Sequence, residues 1–399
     1  MLEITSHRQG AILNHLHGVE SADNLKILVQ GISRTGRPVK VNGINAEMDG
    51  RLFSAEIALT QKFNQLECSV LTPYGLFTQQ LTVVWDKKSF RRCNFYIDDH
   101  IFVFTDLAKQ KPRSAFDHFY FNSLKKTHAE TGIKFSLNIF YRNDHHPFEL
   151  KDMPDTWKQE FIDNSDWLRF SFHSYSEFPD RPYLETTVEE FSRDYDLVQN
   201  EIIRFAGEES FIPPVVLHWG NIHPVAAEEL VKRGTRCYAK AFRPAVMGGP
   251  SLAERQGGGD MQQVEARYRK GSERGTAPTE GLDLHYNFPE EKSYFQNHKA
   301  YYDPNIGLFF AGGSGCCCNL VPLEDIKGRY AKIAETAEKY GVELFSGGSH
   351  EQYSFSYYPN YQPDHMERIA CAARCLVNDL NCKPVFFNEG LMGNMAWGK

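Results

Sequence analysis

Asp98 and Asp99 close the run Asn94-Phe95-Tyr96-Ile97-Asp98-Asp99-His100. Two adjacent carboxylates at the end of an apolar segment too short for a helix are the first residues in the chain that invite chemistry. Such a run reads as a buried parallel strand delivering acids to its C-terminal end, the edge at which barrel enzymes keep their active sites. Neighbouring residues on a strand point to opposite faces, so the pair can share one site only if the strand ends or bends between them. One carboxylate then suits a metal ion and the other a base. The competing reading is structural, because a helix cap or a loop ion pair needs only one carboxylate oxygen.

Further titratable groups follow other strand-like segments. His173, with Glu177 four residues on, follows Leu168–Phe172, and His218 follows Pro214–Leu217. His350 and Glu351 follow Val342–Phe345, and Glu389 follows Val385–Phe387. If these segments are parallel strands, all of these groups gather at one rim, which a binding or catalytic site requires and a stability core does not.

The elements that must position them alternate over residues 89–399. Strand-like Phe95–Ile97, Lys134–Phe140, Leu168–Phe172, Pro214–Leu217, Cys237–Ala239, Leu308–Ala311, Val342–Phe345 and Val385–Phe387 are separated by amphipathic stretches. The clearest of these are Ser114–Thr131, Val188–Phe205, Val225–Lys232, Leu323–Lys339 and Asp364–Asp379. This βα rhythm predicts a (β/α) barrel, regular or distorted. A long excursion around 245–300, containing Gly257-Gly258-Gly259, interrupts it, and loops of that length are usually functional or disordered.

Residues 1–88 have a different rhythm. Leu25–Val29, Val39–Val41, Leu52–Ile57, Leu66–Val70 and Leu81–Trp85 alternate with period two between turn residues such as Asn42-Gly43. That pattern predicts a small all-β sandwich, making the chain a multi-domain α/β protein. The module resembles the immunoglobulin-like accessory modules attached to bacterial carbohydrate-active enzymes, which implies either sugar binding or passive packing. Trp85-Asp86-Lys87-Lys88-Ser89 reads as a polar hinge between the two parts.

Composition narrows the function classes. With 41% hydrophobic and 24% charged residues among 399, a full core is expected. A net charge of −7 without a Lys/Arg cluster leaves no footprint for nucleic acid or an anionic membrane, and no apolar run reaches the ~20 residues of a membrane span. The start, Met1-Leu2-Glu3-Ile4-Thr5, is not a signal peptide. Nine Cys, three of them consecutive at Cys316 to Cys318, suit a reducing compartment. The expectation is a cytoplasmic protein, or a secreted or periplasmic one whose leader has been removed.

The strand ending in Asp98-Asp99, followed by a strand ending in His173-Ser174-Tyr175-Ser176-Glu177, resembles the first two motifs of the polysaccharide deacetylases of the NodB-homology type. The resemblance implies a distorted (β/α) barrel and a divalent metal such as zinc. By it, Asp98 is the catalytic base, Asp99 and His173 are ligands, and Glu177 stands where the family has its second His. His350 matches the late general acid. The family's Arg-Pro-Pro-Tyr-Gly motif is replaced here by Leu217-His218-Trp219-Gly220-Asn221, where His218 and Trp219 offer a polar group and an aromatic platform to a sugar. Arg181 can clamp a substrate anion, and Glu351 and Glu389 complete a substrate-facing rim. A carbohydrate substrate is therefore expected. Two other readings stay open: a metal-independent glycoside hydrolase using paired carboxylates, and a non-catalytic carbohydrate-binding protein.

Overall fold

The computed structural model describes residues 2–183, 186–220, 222–239, 294, 297–312 and 314–398. Most of the excursion expected over 245–300 therefore lies outside the described residues.

The first 85 residues form two five-stranded sheets around a shared apolar core. One sheet runs Leu2–Ile4, Leu25–Ser33, Leu52–Leu59, Glu47–Asp49, with Val19–Glu20 also paired to Leu25–Ser33. The other runs Ile12–Leu13, Gly75–Trp85, Phe63–Thr72, Val39–Val41, Ile44–Asn45. Leu25–Ser33 alternates buried and exposed positions along most of its length, which fixes its register by placing Leu25, Ile27 and Val29 inside. Asn42 and Gly43 both take positive φ, the backbone a two-residue hairpin needs.

The polar hinge expected at Trp85–Ser89 is instead a buried joint. Asp86 Oδ2 pairs with Arg92 Nη2 at 2.9 Å, both side chains being almost wholly buried. Arg92 also donates to the carbonyls of Met392 and Leu391. Asn394 Nδ2 donates to Asp86 Oδ1 at 2.8 Å, and Trp397 Nε1 to the Trp85 carbonyl. The last residues of the chain thus lock the first part to the second. Backbone bonds from Tyr302 N to Gly10 O and a Phe63–Tyr302 ring contact extend the seam.

Beyond the joint, the central strand Arg92–His100 lies between Phe135–Phe140 and Leu344–His350, all parallel. Outside them lie Leu168–Ser174 and Gly315–Cys317, also parallel. Phe135–Phe140 is buried at every position, as expected of a parallel strand covered on both faces. Cys237–Ala239, Leu308–Ala311 and Ala300–Asp303 make a separate three-stranded sheet. Among the described residues neither sheet closes on itself. Residues 211–217 bridge them with single bonds, Ile212 N to Phe170 O on one side and Ala239 N to Val215 O on the other. The strand expected at Pro214–Leu217 forms no ladder, and Pro213 and Pro214 have no N–H to give one. Val385–Phe387 likewise falls outside the ladder, which covers Lys383 and Pro384, although Val385 N still reaches Cys93 O.

The expected helices appear as Phe119–Thr131, Val188–Ala206, Pro224–Lys232, Leu323–Tyr340 and His365–Arg374, the last running into a π-helical turn over Cys375–Asp379. Among the described residues no helix is long and apolar enough to cross a membrane.

Candidate metal centre

The central strand bends where its two carboxylates require it. Ile97 pairs with Leu137 and His100 with Ile139, so Asp98 and Asp99 together face the single residue Asn138. Asp99 takes φ +65°, a left-handed conformation that is sparsely populated outside glycine and favours Asp and Asn among the rest. Bulges of this kind re-aim side chains at sheet edges. A second one lies on the next strand but one, where Ile139 pairs with Phe172 and Phe140 with Ser174, leaving His173 as the extra residue. His218 follows Leu217 at the start of a tight turn in which Trp219 and Gly220 both have φ +67°.

These three irregularities aim three ligand atoms at one point. Asp99 Oδ1 lies 3.1 Å from His173 Nε2 and 3.2 Å from His218 Nδ1, and all three residues are buried. A tetrahedral ion with bonds of about 2.0–2.1 Å separates its ligands by about 3.3 Å, close to this spacing. The other nitrogen of each imidazole is already committed. His218 Nε2 donates to the Glu177 carbonyl at 3.0 Å, and His173 Nδ1 to the Val216 carbonyl at 3.4 Å. In the neutral tautomers both inward nitrogens therefore present lone pairs to a carboxylate oxygen. Three acceptors facing one another need either a proton or a cation between them. The backbone carbonyls that orient the rings are what metal-binding imidazoles commonly have behind them. The Asp99-His173-His218 group can hold a metal ion.

The electrostatics agree with this geometry. Burial is the largest influence on Asp99 and opposes its charge, yet the imidazoles of His173 and His218 against it outweigh burial and hold its pKa well below the carboxylate range. Burial also dominates His173 and holds its pKa down to about 4. At His218 burial acts in the same sense, but the Asp99 carboxylate outweighs it and the pKa is raised. Without a cation, a proton on His218 pairs with Asp99 while His173 Nε2 still turns its lone pair to the same oxygen; a bound cation would engage all three. Asp98 is pushed well above the usual range, first by burial and then by the charge of Asp99, while Asn138 Nδ2 donates to its Oδ1 at 2.6 Å.

Glu177 does not join the group. Its Oε2 lies 2.5 Å from His145 Nε2, so the ligand position expected for it falls to His218, and Glu177 contributes only the carbonyl that orients that imidazole. Glu351 is not substrate-facing either. Fully buried, it accepts the backbone N–H groups of Ile101, Phe102 and Val103 at 2.7–2.8 Å. It thereby caps the helix Phe102–Gln110, whose own N-cap residue, Ile101, has no acceptor to offer. Glu389 belongs to the other end of the sheet. It pairs with Arg169 at 2.8 Å, four residues before His173 and so ~13 Å down the same strand.

His350 stands where expected, beside Asp98 in the register. Its Nδ1 donates to Asn319 Oδ1 at 3.0 Å, with Cys317 Sγ 3.6 Å from the same nitrogen. The Arg181 guanidinium lies 4.8 Å from the centre of the Trp219 ring, so the two residues expected to meet substrate meet each other. Asn138, His145 and Asn319 were not anticipated. A lone Asn inside the apolar run Phe135-Ser136-Leu137-Asn138-Ile139-Phe140 was the available signal for the first. Comparison with protein-family models and with curated proteins finds no match to the chain.

Proposed function

We propose that the protein is a metal-dependent hydrolase acting on carbohydrate, of the deacetylase type, with the two sheets forming a distorted, incompletely hydrogen-bonded (β/α) barrel. The observation that carries this reading is the convergence of Asp99, His173 and His218 beside a second carboxylate on the same strand. One carboxylate oxygen and two imidazole nitrogens suit zinc or a neighbouring divalent transition metal better than calcium or magnesium. Bound there, the cation supplies an electrophile for a carbonyl oxygen and lowers the pKa of water.

The chain's own residues do the rest. Asn138 holds Asp98 Oδ1, leaving Oδ2 as the atom that exchanges a proton with the attacking water; because burial and Asp99 raise its pKa, the base form gains population as pH rises. Asn319 accepts from His350 Nδ1, so Nε2 holds the lone pair; burial lowers the pKa of this ring, and it acts as acid only after Nε2 has taken up a proton, such as the one Asp98 draws from water, which it then passes to the leaving group. Trp219 and Arg181 form a stacked pair beside His218 and provide an aromatic and hydrogen-bonding wall for a sugar. The glycosidase alternative is weakened by the commitment of Glu351 to a helix cap and of Glu389 to the opposite end, which leaves Asp98, Asp99 and Glu177 as its carboxylates.

The test is acetate release from N- and O-acetylated oligosaccharides by protein loaded with zinc, cobalt or nickel. Metal-dependent release that is lost in Asp98→Asn supports the reading. Glycosidic cleavage without acetate release, unaffected by chelator, would replace it with the glycosidase.

A further inference from the structure

A cleft of about 450 Å³ lies against the helix Phe102–Gln110, and none of its lining residues belongs to the metal group. It is bounded by that helix, by the start of Phe119–Thr131 and by the loop following Glu351. Its size is that of a small-molecule site. The mechanism above uses none of its residues.

Three features of the lining restrict what it can hold. Phe119, Tyr357 and Tyr361 are 47%, 45% and 40% exposed, so three large rings turn faces or edges to solvent there. Asp106 and Asp117 supply two carboxylates, and the lining contains no Lys or Arg among the described residues. His118, almost wholly buried, caps the helix behind the cleft and holds its Nε2 3.5 Å from Asp106 Oδ2. The Tyr357 phenol also hydrogen-bonds Asp106, so this carboxylate is fixed in place. Two carboxylates against the single imidazole of His118 disfavour anions, and exposed rings beside them favour a ligand with an apolar face and a positive charge.

Position narrows the choice. Tyr357 stacks on Phe102 with ring centroids 5.5 Å apart, Phe102 meets His145 at 5.4 Å, and His145 pairs with Glu177, whose carbonyl orients His218. A short run of contacts through the buried Phe102 ring thus links the cleft to the candidate metal group, so a ligand in the cleft is a near neighbour of that group.

We infer that this cleft is a distal subsite for an amino sugar carrying a free ammonium, the product of de-N-acetylation, with Asp106 and Asp117 receiving the ammonium and Tyr361 and Phe119 stacking on the ring. That the ammonium belongs to a sugar rests on the carbohydrate reading; the cleft's preference for a cation rests on its own lining.

The test is titration of the full chain, followed by calorimetry, with a short glucosamine oligomer, its N-acetylated form, a glucose oligomer and ethylammonium. The expected result is saturable binding of the glucosamine oligomer, weakened about tenfold or more, roughly 1.4 kcal/mol, in Asp106→Asn and in Tyr361→Ala, and unchanged in Glu389→Gln, at the other end of the sheet. Should Asp106→Asn fail to fold, Tyr361→Ala, at an exposed ring, carries the comparison. Equal binding of the acetylated or glucose oligomer overturns the ammonium assignment, and equal binding of ethylammonium overturns the sugar. No binding, or binding indifferent to both cleft variants, overturns the site. Cleft-dependent binding by a protein that releases no acetate from any substrate would sink the hydrolase reading and leave the cleft standing. Acetate release without cleft-dependent binding would do the reverse.

Discussion

The strand Arg92–His100 buries charge at both of its ends, and the two ends are built in opposite ways. At the start, Arg92 meets one carboxylate and several carbonyls, with Asp86 and Asn394 completing a network of matched donors and acceptors. At the finish, Asp98 and Asp99 put two carboxylates side by side, with imidazole lone pairs aimed at one of them and a left-handed residue holding the arrangement. The first end satisfies its charges within the chain. The second holds a left-handed Asp99 and keeps Asp98 from ionising beside it, with acceptors facing one another, as groups at functional sites often are.

If that contrast is right, substitutions at the two ends should separate stability from activity. The largest expected effect is on turnover. Asp98→Asn keeps the bond to Asn138 possible and resembles the neutral carboxyl that the raised pKa favours, so acetate release should fall by about 10²–10⁴-fold while the melting temperature holds. A parallel loss of melting temperature would mean that Asp98 is structural after all.

Arg92→Met should do the opposite. It strands Asp86 without its charge partner in a dry joint, and loss of one member of a buried pair costs about 3–5 kcal/mol. Urea unfolding should register that loss, with turnover per folded molecule unchanged. Removing residues 1–86 takes the partner away from the other side, so the shortened chain should aggregate or unfold; a soluble, active product would contradict the joint described here.

The smallest effect is expected at Glu389. Its pair with Arg169 is partly exposed on both sides, and such pairs contribute about 1 kcal/mol or less. Glu389→Gln should leave turnover unchanged and barely move the unfolding midpoint. A large loss of turnover would return Glu389 to the rim where its sequence position first put it.

Much of this was legible in the sequence because it is local. A short apolar run ending in Asp98-Asp99 specifies a buried strand, and the condition that it must bend between the acids is met by the bulge opposite Asn138. The period-two strands before Trp85 were readable for the same reason. What failed depended on contacts distant in sequence. The family resemblance put Glu177 in the second ligand position, but the bulge at His173 and the turn at Trp219 bring His218 in instead. Glu351 follows a strand as a site residue should, yet it serves a helix start about 250 positions earlier that lacks a local cap. The hinge read as polar because Asp86, Lys87 and Lys88 are charged, and only the chain's last residues reveal that Trp85 and Asp86 within it are enclosed while Lys88 stays exposed.

The most direct test of the central claim is the metal content of untagged protein, purified without chelator, measured for the wild type beside His218→Ala and Glu177→Gln. The geometry predicts about one transition-metal ion per chain in the wild type and in Glu177→Gln, and a loss of affinity beyond the roughly 10–100-fold typical of outer partners in His218→Ala. Metal retained in His218→Ala and lost from Glu177→Gln would contradict it.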